Sequence, residues 1–144
     1  MEAGSWKREA RIRTATESWD HDAIDVDALI RIISETYGDR GYARLAAWMV
    51  LAGWRSQGAG MCRPLAEAIH EVRLRGAEQA GRPAPPLEDS LFTVALLSLV
   101  LFAEPLAGGS MRRVVALPAD RRTQDAFIAW LADLVRRHLE TGEP

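Results

Sequence analysis

The chain has 144 residues, 48% of them apolar, and its 18 basic against 20 acidic side chains leave a formal charge of −2. That is enough for one buried core and too little for two large domains, and the lack of a basic excess argues against an autonomous nucleic-acid binder. The single cysteine, Cys62, excludes an internal disulfide and a cysteine-based zinc site and points to a reducing, cytoplasmic setting.

Residues 1–24 mix charge with the isolated Trp6 and Trp19, carry no unbroken apolar core of the kind a signal peptide needs, and specify at most a short helix over 6–16. From Asp25 onward Val26, Leu29, Ile30, Ile33 and Tyr37 fall on one helical face. Asp22 or Asp25 serves as its cap and Gly38 as its stop. The next helix, over 41–54, has no charge from Leu45 to Trp54. It is apolar around its circumference, so enclosure by other helices is expected. Gly58-Ala59-Gly60 breaks it. Pro64, in a first turn, opens a helix that turns Leu65, Ile69 and Val72 inward and pairs Glu71 with Arg75 outside, with Gly81 closing it. Arg82-Pro83-Ala84-Pro85-Pro86 is a stiff, extended connector, because each proline disfavours helix in the residue before it.

Helix resumes near Leu87, with Glu88 and Asp89 in a first turn that favours negative charge, and a break is expected at Pro105 and Gly108-Gly109. Its apolar run, 91–103, falls short of the roughly twenty residues that cross a bilayer. A buried core helix and no membrane contact are therefore expected. Residues 110–120 read as a short turn of helix and a loop. The last helix, 121–140, sets Phe127, Trp130, Leu131, Leu134 and His138 on one stripe, widened by Ile128 and Val135, with Asp133, Arg136, Arg137 and Glu140 opposite. No run alternates with period two and no internal repeat is present, so the fold class is all-α, a helical bundle.

Reactive chemistry finds little support. His21, His70 and His138 are far apart in sequence, no serine sits in a Gly-x-Ser-x-Gly elbow, and no glycine-rich loop with a lysine offers a phosphate cradle. His70, flanked by Glu67 and Glu71, reads as a half-exposed helix residue rather than a zinc ligand. Asp20, Asp22, Asp25 and Asp27 cap a helix rather than bind calcium, since the glycine and terminal glutamate of such a loop are missing. Arg112, Arg113, Arg121 and Arg122 read as a solvated cluster. The expectation is a non-enzyme with no metal and no cofactor.

The order of these parts resembles the C-terminal domain of TetR-family transcription regulators over about residues 25–140. Gly41-Tyr42-Ala43-Arg44-Leu45-Ala46-Ala47-Trp48 is similar to the enclosed central helix of that domain, and Leu65-Ala66-Glu67-Ala68-Ile69-His70-Glu71-Val72-Arg73 to the helix after it. The proline connector running into Leu87-Glu88-Asp89, the alanine- and leucine-rich helix, then Gly108, Arg112 and Arg113, resemble the linker and the penultimate long helix; the 127–139 helix completes the set. The family's N-terminal helix-turn-helix, which enters the major groove, has no counterpart in residues 1–24. A fragment, a late start and a natural truncation stay open.

The resemblance implies a homodimer in which the last two long helices of each subunit form a four-helix interface through Leu91, Leu99, Phe127, Trp130, Leu131 and Leu134. A wide apolar stripe that needs cover is the physical reason to expect it, the alternative being that the stripe closes a monomeric core. It also implies a small apolar effector held between the central helices. Trp48, Met49, Trp54, Met61, Phe92 and Phe102 are the candidate walls; His70, Arg73 and Thr93 are the polar contacts. Ordinary core packing is the alternative for each wall residue. The function so implied is effector sensing and dimerisation, with DNA reached only through a missing N-terminal unit. Two rivals are a shortened partner that traps a full-length regulator in inactive heterodimers, and a helical enzyme using His70 or Glu104.

Overall fold

A computed structural model describes residues 24–38, 42–53, 60 and 62–141; the expectations for 6–16, Asp22, Trp54 and Met61 lie outside them. Helix α1 spans Val26–Gly38. Asp25, one of the two candidate caps, accepts the Ala28 N–H on its Oδ1 at 2.8 Å and so satisfies one orphan donor of the first turn. Val26, Leu29, Ile30 and Ile33 turn into the core as the spacing requires.

Helix α2, Tyr42–Leu51, stops ahead of Gly53, which takes a left-handed φ of 79°. Its enclosure is not what the structure shows. Ala43 is buried, but Leu45, Trp48, Val50 and Leu51 are exposed; among the described residues α2 packs mainly on α1 and against residues 104–108. A charge-free circumference marks a helix that can be enclosed; cover also needs neighbours on every side.

Helix α3, Arg63–Gln79, has Pro64 in its first turn and buries Leu65, Ala66, Ile69, Arg73 and Ala77. Arg73 thus takes the inward place expected of Val72, which is half-buried. The helix ends in a Schellman motif: Arg82 N–H donates to Ala77 O at 2.8 Å and Gly81 N–H to Glu78 O at 3.1 Å, with Gly81 at φ 62°. The proline strap then crosses to α4, Leu87–Ala103. Arg73 of α3 meets Ser90 of α4 and Cys62 meets Ser98, so the two helices run antiparallel.

Pro105 does not break the chain's helical path. Residues Glu104–Gly108 form a π turn that leads directly into α5, Gly109–Val114, making one helical run of 28 residues from Leu87 to Val114. A proline removes one N–H and crowds the carbonyl a turn earlier, and the wider π turn accommodates both. Gly108 permits this locally, since a Cβ there would collide with the Glu104 carboxylate. The run is consequently long and apolar enough to cross a membrane by length and composition, which corrects the shortness read from 91–103.

Asp120 caps α6, Arg121–Thr141, accepting the Thr123 N–H at 2.8 Å. Helix α6 lies antiparallel to α1, with Arg136 near its end paired to Asp27 near the start of α1 at 3.1 Å. Its buried residues are Leu131, Ala132 and Val135, with Ile128 and Leu139 packed beside them. The inward face is therefore rotated from the expected stripe: Ile128 and Val135 belong to the core, while Trp130 and Leu134 point outward. One core joins α1, α3, α4 and α6, and no strand occurs among the described residues. The fold is an all-α helical bundle.

Candidate functional site

Two features of this bundle carry more than packing. The first is the outer side of α4 and α6. Helix α4 is apolar all round, and only one side of it faces the core, through Val94, Leu97 and Leu101. Opposite lie Phe92 (71% exposed), Leu96 and Leu99 (65% exposed), spaced four and three apart on one helical face. On α6, Trp130 (54% exposed) and Leu134 also face out, and Trp130 stacks on half-buried Phe127 with ring centroids 6.1 Å apart. The start of α4 touches the end of α6 through Asp89 and His138, so Phe92 and Leu134 each stand about one turn inward from that contact.

The second feature is polar. The Arg73 side chain is 3% exposed and holds Asp89 at 2.6 Å, with Ser90 Oγ at 3.1 Å from the same Nη1. His138 Nε2 lies 3.1 Å from Asp89 Oδ1, and the Thr93 hydroxyl donates to Asp89 O. This relay ties α3, α4 and α6 together. The Arg73 charge is tolerated in the interior because a carboxylate and a hydroxyl share it. A groove of about 420 Å³ opens over the relay, walled by the strap from Arg82 to Pro86 and by the end of α6.

A further buried pair, Glu104 and Arg112 at 2.5 Å, closes on itself across the π turn; Arg112 Nε has no hydrogen-bond partner. Cys62 is half-buried. Burial pushes its thiol up from the ordinary range, and the Ser98 hydrogen bond offsets this only in part, so the thiolate that would make it reactive is disfavoured.

Of the residues proposed to line an effector pocket, Trp48 and Phe92 are exposed, Met49 and Phe102 are half-buried, and Thr93 is buried. His70 is half-buried and its Nδ1 lacks a partner. Among those described, Arg73 alone lines the relay groove. A second open cleft runs between α1 and α6, lined by Arg31, Glu35, Gln124 and Asp125 among others, and contains none of them. Of the proposed interface residues, Leu99, Trp130 and Leu134 are exposed, Leu91 and Phe127 are half-buried, and Leu131 is a core residue at 3% exposure. The relay partners Asp89 and His138 were legible only as a first-turn acid and a stripe residue. Their pairing is long-range, and an aspartate and a histidine 49 positions apart give no periodic signal.

Among the described residues no group of three or more His, Cys, Asp or Glu side chains could hold a metal ion. Comparison with protein-family models, with curated proteins and with solved structures finds no match.

Proposed function

We propose that the chain is the effector-sensing and dimerisation domain of a TetR-like transcription regulator, pairing with a second copy through the outer faces of α4 and α6. The observation that carries this reading is the exposed apolar face of Phe92, Leu96 and Leu99 on α4, together with Trp130 and Leu134 exposed on α6. Aromatic side chains bury about 150–250 Å² each, so these five residues offer a few hundred Å² of exposed apolar surface. That is comparable with the largest apolar patch of a typical solitary subunit, which is often functional, and is enough for the core of an interface of about 800 Å² per partner. A second copy matches it because a two-fold axis sets the same apolar surface against itself.

A soluble, cytoplasmic bundle is preferred over a membrane span for Leu87–Val114. The inner side of that helix carries Ser90 and Thr93, the ion pair to Arg73 and the Glu104–Arg112 pair, all engaged within the protein. In the regulator, an effector that prefers one packing of α4 against α6 would shift the spacing of attached DNA-binding units; equal affinity for both packings would shift nothing.

The test replaces the dimerisation domain of a dimeric repressor with this chain and reads repression of a reporter. Repression is expected with the natural sequence and loss of it with Leu99→Glu, which sets a charge in the middle of the seam. A fusion that represses no better than the isolated DNA-binding unit contradicts the proposal.

A further inference from the structure

The relay groove has features that neither packing nor pairing between copies uses. Its floor is the Arg73 guanidinium, whose bonds to Asp89 and Ser90 both leave from Nη1. At its rim Arg82 likewise spends Nη1, on the carbonyls of Glu140 at 2.9 Å and Thr141 at 3.2 Å. Among the described residues neither guanidinium engages its Nε–H or Nη2–H, the two-pronged edge that matches a carboxylate. Ala77, Pro83, Ala84 and Leu139 supply apolar wall. The prolines fix the strap, so little order is lost on binding. The volume of about 420 Å³ falls within the range of small-molecule sites.

We propose that this groove binds a small amphipathic monocarboxylate, its head on Arg73 and Arg82 and its apolar body against the strap. Charge decides against a phosphate or dianion. Asp89 already offsets Arg73, Glu140 lines the groove, and the last carbonyls of α6 carry partial negative charge. One added negative charge is accommodated by Arg82 and these guanidinium edges; two would be repelled. The groove spans the start of α4 and the end of α6, the helices that carry the exposed face. Its role as the effector site rests on the dimer reading above, whereas binding itself does not.

The experiment is calorimetric titration of the full chain with hexanoate, with hexanol and hexylammonium as matched probes. Saturable hexanoate binding is expected, with both other probes weaker by about tenfold or more. Arg82→Gln, at an exposed position, should weaken hexanoate by about tenfold while the far-ultraviolet helix signal is retained. Ala84→Trp, which fills the groove from the exposed strap, should abolish binding. Hexanol binding as well as hexanoate, no saturation, or wild-type affinity in both variants would overturn the proposal. Hexanoate binding by a chain that stays monomeric would keep the groove and remove the dimer reading; a dimer that ignores hexanoate would do the reverse.

Discussion

The two sides of α4 have nearly the same chemistry and opposite surroundings. Val94, Leu97 and Leu101 pack against α1, α3 and α6 in the core, while Phe92, Leu96 and Leu99 face outward. The difference teaches that composition tells how much apolar surface a helix has, while the neighbours tell where it is spent. The inner side is spent on folding and leaves the outer side for association.

Substitutions sharpen the contrast. The largest effect on stability is expected inside: Leu97→Ala should cost about 3 kcal/mol in chemical denaturation, through lost burial and the cavity left behind. Next comes the relay. Asp89→Asn strips Arg73 of its carboxylate partner and should cost about 2 kcal/mol, with an unchanged far-ultraviolet helix signal at low temperature. Asp25→Ala removes the cap on α1 and should cost about 1 kcal/mol.

The smallest effect is the pH dependence at Asp120. Its carboxyl is held below the ordinary range by the Thr123 backbone N–H first, then by the Thr123 side chain, with Arg112 adding a weaker pull. A depressed folded value means that the stabilisation is present above the unfolded aspartate value and is lost as pH falls through the folded one. Melting of Asp120→Asn should accordingly show a shallower acid dependence than the natural chain, and equal slopes would contradict the assignment.

Much of the fold is legible locally. Asp25 with Gly38, Pro64 with Gly81, and the 82–86 prolines each act within a few residues of a helix end, and the structure puts those ends where the local chemistry does. What sequence spacing misses is long-range or depends on packing. The stripe on α6 runs through Phe127, Trp130, Leu131, Leu134 and His138 with Ile128 and Val135 at its edge, but a helix turns 100° per residue, so a modest change in docking angle centres the core on Leu131, Ala132 and Val135 and leaves Trp130 and Leu134 exposed. Pro105 reads as a break because its clash is local, while the π turn that relieves it depends on Gly108 and the Glu104–Arg112 pair. Arg73 falls on the inner face of α3 in register with Ile69 and Ala77, and Asp89, from beyond the proline strap, meets its charge there.

Sedimentation equilibrium of the natural chain and of Leu99→Glu at micromolar concentration tests the central claim most directly. The account predicts about twice the 15.9 kDa chain mass for the first and the single-chain mass for a folded second. A natural chain that sediments as a monomer, or a variant that still pairs, would show that the outer face of α4 is not where two copies meet.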